Sequence, residues 1–107
     1  MKKGKYLVTG CAGFIGSHLV KKLYKNYDLI LVDDLSEGSL TNLPSNLRKK
    51  LIKKRIQDIK KLKTKKVSGI FHLAAQTSVP FSLTNFYKST SNNLSSAIKV
   101  FEFSKKY

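Results

Sequence analysis

Short, continuous apolar runs alternate along the chain with stretches whose apolar residues recur every third or fourth position. Lys5 to Thr9 is a β-branched run bounded by Gly4 and Gly10, which predicts a buried strand. Phe14 to Tyr24 carries apolar residues at Phe14, Ile15, Leu19, Val20 and Leu23, with Lys21 and Lys22 on the other face, the spacing of an amphipathic helix. Asn26 and Tyr27 make a turn. Leu29 to Val32 reads as a second buried strand closed by Asp33 and Asp34, and Ser36 to Ser39 as a loop. Between Ser45 and Lys66 two readings stand. Leu47, Leu51, Ile52, Ile56, Ile59 and Leu62 can line one helix, or Leu51 to Gln57 can be a short strand between helical turns. Val67 to Ala75 predicts another strand, and Pro80 with the Ser and Thr residues after it a loop. Leu94, Ala97, Ile98 and Phe101, at i, i+3, i+4 and i+7, predict a closing helix whose stripe can cover the sheet.

Strand, helix, strand, then further strand and helix is a βαβ series. Its strands are apolar throughout because a parallel sheet is covered on both faces. The class is α/β, an open parallel sheet with helices on both faces. The 107 residues suffice for one domain, with no internal repeat and no linker.

Composition removes several classes. A single cysteine, Cys11, excludes an internal disulfide, and two histidines with one cysteine are too few for a structural zinc site without carboxylates. The longest clean apolar run, Leu29 to Val32, falls far short of the roughly 20 residues of a membrane span. Tyr6 to Val8 is too short for the apolar core of about 7–15 residues in a leader peptide, so a cytoplasmic protein without membrane attachment is expected. The net charge is +15, and ten of the 18 residues from Lys49 to Lys66 are basic. That run has few of the Arg forks and stacking aromatics that specific nucleic-acid recognition uses. It reads as a solvated lysine face, with a basic nucleic-acid binder as the weaker alternative.

The sharpest chemical signal is Thr9-Gly10-Cys11-Ala12-Gly13-Phe14-Ile15-Gly16, which follows a strand and opens a helix. Gly10 permits the tight turn, Gly13 lets backbone approach a pyrophosphate, and Gly16 lets the helix pack closely on the sheet. Phosphates there meet unpaired N–H groups at the positive end of the helix. Asp33, 17 residues past Gly16, stands where an acid accepts hydrogen bonds from ribose hydroxyls and repels a 2′-phosphate. Together they predict a dinucleotide site that prefers NAD to NADP. Cys11 reads as a small filler, and His18 and His72 as packing or hydrogen-bonding residues.

The segments Thr9 to Leu23, Leu31 to Leu43 and Phe71 to Ser82 together resemble the extended short-chain dehydrogenase/reductase family, and within it the NAD-dependent nucleotide-sugar epimerases and dehydratases. The resemblance implies a Rossmann-like sheet of about four strands in the order 3-2-1-4, with the third ending at Asp58. By position it implies that Gly10, Gly13, Phe14, Ile15 and Gly16 surround the pyrophosphate, and that Asp33, with Asp34 beside it, faces the adenosine ribose. Ser36 and Gly38 match a loop beside that ribose, and Asp58 and Ile59 the pair that meets adenine. Gln57 departs from the glycine usual before that acid. Leu73, Ala74, Ala75 and Gln76 match the strand exit under the nicotinamide half, and Asn92 a helix asparagine near the active site.

The family's catalytic Tyr-x-x-x-Lys pair is missing. Four positions after Tyr6, Tyr24, Tyr27 and Tyr87 stand Gly10, Asp28, Leu31 and Ser91, and Tyr107 is last. The resemblance therefore implies the N-terminal part of such an enzyme, without its catalytic pair and C-terminal substrate domain. Expected partners are NAD and, in a full-length parent only, a nucleotide sugar, with a homodimer possible through the closing helix. The alternative is a nucleotide-binding module with no catalysis.

Overall fold

The computed structural model describes residues 2–74 and 83–107, so the expectations for Ala75 and Gln76 lie outside the described residues. The chain folds as an α/β domain on a parallel sheet. β1 (Lys5–Thr9) runs in the middle, between β2 (Asp28–Val32) and β3 (Gly69–His72). In register, Lys5 faces Asp28 and Thr9 faces Val32 on one side, while Tyr6 faces Gly69 and Thr9 faces His72 on the other.

The central strand is apolar throughout because it feeds two cores. Successive side chains of a strand point to opposite faces. Val8 joins Val20 of helix α1 (Phe14–Leu23), together with Cys11, Ala12, Leu31, Leu43 and Leu47. Leu7 joins Val32, Ile56, Ile59, Leu62 and Phe103 on the opposite face, where helix α2 (Phe86–Lys106) packs. No buried side-chain polar atom is left unpaired among the described residues.

Two expectations are corrected. The strand expected to end at Asp58 is only a single parallel bridge between Ile52 and Val32, so among the described residues the sheet has three strands where about four were expected. Ile52 exchanges its backbone groups with Leu31 and Asp33, but the Lys54 N–H then folds back onto the Ile52 carbonyl at 3.0 Å. The chain leaves the sheet there and reaches Asp58 as a 3-10 turn, Ile56–Asp58. Spatially the bridge lies beyond β2, so the crossover order keeps its expected sense.

The second correction concerns α2. The stripe of Leu94, Ile98 and Phe101 does not cover the sheet; Phe101 is 69% exposed, whereas Phe103 is 2% exposed. The inner face is instead Ser89, Ser96, Val100 and Phe103. Its N-terminal half is small and polar and its C-terminal half apolar, so an apolar-stripe criterion selects the wrong face.

Candidate functional site

At the C-terminal ends of β1, β2 and β3 lies an open cleft of about 1350 Å³. In open α/β sheets ligands sit at this edge, where the strand order reverses. The reversal here is between β2 and β3, on either side of β1.

One wall is made of backbone. Gly10 has φ +68°, and a Cβ there would stand 2.6 Å from the Leu73 carbonyl group. A Cβ on Gly16 would overlap the Gly10 carbonyl oxygen, which is why α1 can start so close to the loop. Gly13, the residue before α1, gives the helix no side-chain cap, and the first turn holds no acid. The N–H groups of Phe14, Ile15 and Gly16 have no carbonyl one turn earlier to bond. Phe14 and Ile15 are 78% and 69% exposed on the cleft, so the positive end of the helix is open to it.

Ala12 ties this wall together. Its N–H donates to Asp33 Oδ2 at 2.8 Å, and its carbonyl accepts from the Ser39 N–H at 3.1 Å and Asn42 Nδ2 at 2.8 Å. Gly38 lies against the same carbonyl, 2.5 Å from where a Cβ would sit. The second Asp33 oxygen accepts the Leu35 N–H at 2.8 Å and holds Leu35 at φ +64°, a left-handed conformation uncommon outside glycine. Asp33 is 7% exposed and lines the cleft. Each oxygen takes one backbone bond and keeps a second lone pair. Asp34 closes a tight turn by accepting from the Ser36 N–H and hydroxyl. Burial, and after it the charge of Asp33, pushes the Cys11 thiol up to about 12, so it is a neutral filler at physiological pH.

The other wall is made of side chains. From α2 come Tyr87, Lys88, Ser89, Ser91, Asn92, Ser95 and Ser96; from the segment after the Ile52 bridge come Lys54, Arg55 and Gln57. Gln57 Nε2 donates to Asn92 Oδ1 at 2.7 Å and joins these two elements. At the β3 exit, Thr9 Oγ1 accepts the N–H groups of Leu73 and Ala74 at 3.1 and 3.2 Å. Its own hydrogen is then left for His72 Nδ1, 2.6 Å away. This fixes His72 as the Nε2–H tautomer, with Nε2 3.5 Å from Ser96 Oγ. Burial lowers the His72 pKa, which keeps the ring neutral.

Of the residues singled out from the sequence, Gly10, Gly13, Phe14, Ile15, Gly16, Asp33, Asp34, Ser36, Gly38, Leu73, Ala74 and Asn92 all line the cleft. Asp58 does not; it pairs with Arg55 at 2.8 Å, both side chains about half exposed. Ile59 is buried in the core beneath. Gln57, Lys54, Arg55 and the α2 serines were not singled out as site residues. Only the serines carry a signal, a small polar stripe at Ser89, Asn92 and Ser96. Among the described residues no group of His, Cys, Asp and Glu could hold a metal ion, and no helix is long and apolar enough to cross a membrane.

A family described as NAD dependent epimerase/dehydratase matches residues 6–107. The chain is 37% identical over 114 residues to the dTDP-D-glucose 4,6-dehydratase of Dictyostelium discoideum, covering 96% of this chain and 26% of that protein. Among solved structures it is similar to a UDP-N-acetylglucosamine 4-epimerase from Methanobrevibacter ruminantium in complex with UDP-N-acetylmuramic acid. That match has a TM-score of 0.83 and 36% identity, covering 94% of this chain and 34% of the other. The Thermus thermophilus UDP-glucose 4-epimerase in complex with NAD superposes with a TM-score of 0.76 at 27% identity, covering 92% and 32%. The chain thus spans between about a quarter and a third of the length of these relatives.

Proposed function

The chain belongs to the NAD dependent epimerase/dehydratase family, and from that premise we propose that its cleft binds NAD, with the pyrophosphate on the uncapped start of α1. The observation that carries this reading is the backbone wall. An open helix N-terminus meets the glycine loop directly beside a buried carboxylate with spare lone pairs. Gly10, Gly13, Phe14, Ile15 and Gly16 hold the phosphates; Asp33, Asp34, Ser36 and Gly38 face the adenosine ribose; Leu73, Ala74 and Asn92 stand toward the nicotinamide half. Bound NAD supplies a centre that takes up and returns a hydride. The chain's own residues bind and orient it, since no Tyr-x-x-x-Lys pair exists among the 107 to move a proton.

These residues form the N-terminal portion of the dinucleotide domain of a nucleotide-sugar epimerase or dehydratase, and alone bind NAD without turnover. Calorimetry tests this. Wild type takes NAD in preference to NADP, and Asp33→Asn narrows that preference by removing the charge opposite a 2′-phosphate. Equal affinity for the two in the wild type contradicts it, as does nicotinamide reduction by the chain alone with any UDP- or TDP-sugar. The outer face of α2, with Leu94, Ile98 and Phe101 exposed, is the surface for self-association. Association grows with salt as the +15 charge is screened, and a monomer in sedimentation at both low and high salt contradicts it.

A further inference from the structure

His72 lies between Thr9 and Ser96 at the end of β3, beside the cleft, and its ring sits in a hydrogen-bond chain that runs in one direction. Thr9 Oγ1 gives both lone pairs to the N–H groups of Leu73 and Ala74, at 3.1 and 3.2 Å. Its hydrogen goes to His72 Nδ1 at 2.6 Å. On the far side of the ring, Ser96 Oγ donates to the Asn93 carbonyl at 2.9 Å and stands as an acceptor 3.5 Å from Nε2. The peptide that Thr9 holds belongs to the binding wall. A Cβ on Gly10 would lie 2.6 Å from the Leu73 carbonyl and 2.7 Å from the Ala74 nitrogen. The glycine loop is thus packed on the Leu73–Ala74 peptide, one hydroxyl away from His72.

Resting on the reading that the cleft holds NAD, we propose that His72 is a positioning residue whose neutral form keeps the Leu73–Ala74 peptide seated against Gly10, and that protonation of the ring weakens dinucleotide binding. A second ring proton turns Nδ1 into a donor. Thr9 Oγ1 then meets a third N–H where it has two lone pairs, and the hydroxyl hydrogen of this fully buried side chain loses its acceptor. To take the new donor the hydroxyl must turn, and the turn displaces one of the two peptide N–H groups. Burial holds the ring below the ordinary histidine value of 6.5. Asp33, Asp34 and Glu37 face the cleft from beyond the glycine loop, Lys54 and Arg55 from the segment after the Ile52 bridge, and Tyr87 and Lys88 from α2. Lys99 of α2 is turned to Glu102 and the Phe103 ring. Histidine is the side chain whose ordinary titration falls between about pH 5 and 8. The other histidine, His18, is exposed on α1, where a proton adds positive charge near the phosphates and acts in the opposite sense.

The test is calorimetry of the full chain with NAD from about pH 8 to about pH 5.5, with the His72 ring nitrogens followed by NMR over the same range. In the wild type, affinity is level above the pKa of the ring and falls below it, approaching about tenfold per pH unit, and binding at acid pH releases a proton. Saturating NAD moves the His72 titration to lower pH, because linkage is reciprocal. A ring that only packs would show no such movement. His72→Asn offers Thr9 an acceptor that takes no proton in this range. At about pH 8 it binds NAD within about fivefold of wild type, the worth of the lost contact to Ser96, and its affinity stays level to about pH 5.5. Thermal melts establish that each protein is folded at each pH, and if His72→Asn does not fold, the NAD-dependent movement of the wild-type ring titration decides alone. A wild-type affinity that stays level into acid, a ring titration that NAD leaves in place, or an acid loss that persists in folded His72→Asn overturns the proposal and leaves dinucleotide binding intact. Failure of the wild type to bind NAD at about pH 8 overturns the cleft reading and this one with it.

Discussion

The two walls of the cleft are built from different materials. The wall formed by the glycine loop, α1 and Asp33 consists of main-chain groups fixed from behind by Val8, Cys11, Ala12, Val20 and Leu31, all buried. The wall formed by α2 and the Lys54–Gln57 segment consists of polar side chains, joined across the gap by one amide pair. Main-chain walls need particular residues only where a Cβ would intrude, so they leave a short local motif. Side-chain walls depend on which face of a helix the rest of the chain buries, and that is decided at long range.

The comparison is broken most severely at the anchor of the second wall. Phe103→Ala empties the core under α2 and costs about 3–5 kcal/mol in urea unfolding, whereas Phe101→Ala, on the outer face of the same helix, changes stability by no more than about 0.5 kcal/mol. Similar losses at the two positions would mean that both faces of α2 are covered.

In the backbone wall the sensitive place is a glycine. Gly16→Ala drives a methyl group into the Gly10 carbonyl and costs about 3 kcal/mol, read from the thermal midpoint. A neutral result would show that α1 can draw back from the loop without loss.

Cys11 sharpens the contrast through pH. Its thiol is held protonated to about 12 in the fold against 9.0 in the open chain, so the folded state binds the proton more tightly between those values. Stability from this source is complete below pH 9 and is lost as pH rises toward 12. At pH 10 the wild type gives up about 1.4 kcal/mol that Cys11→Ala does not, compared in urea unfolding at pH 8 and 10. Parallel pH profiles of the two proteins would place the thiol in contact with water.

The smallest effect is at the seam of the second wall. Asn92→Ala removes the acceptor of Gln57 and costs about 1 kcal/mol, because Gln57 is only partly buried and water can replace the lost partner. An Asn92→Ala, Gln57→Ala double-mutant cycle gives the coupling directly, and additivity would mean the amide pair is not held in solution.

These differences also mark what the sequence makes legible. Gly10, Gly16 and Asp33 could be read because each is demanded by a local turn, a close approach or a strand end. The face of α2 could not, because Ser89 and Ser96 are buried by their place under the cleft and not by their polarity. The strand expected before Asp58 fails for a related reason. Leu51, Ile52 and Ile56 have the composition of a strand, but Ile56 is needed in the lower core with Leu7 and Phe103, and after one bridge the chain turns down to reach it.

The most direct measurement is to follow the backbone amide resonances of an isotope-labelled chain as NAD is added. The amides of Gly13, Phe14, Ile15 and Gly16 shift together and saturate, and those of Lys60 to Lys66 stay in place. Shifts confined to the lysine-rich segment, or spread evenly over the basic surface without saturation, would contradict a dinucleotide site at the start of α1 and point to general attraction of anions.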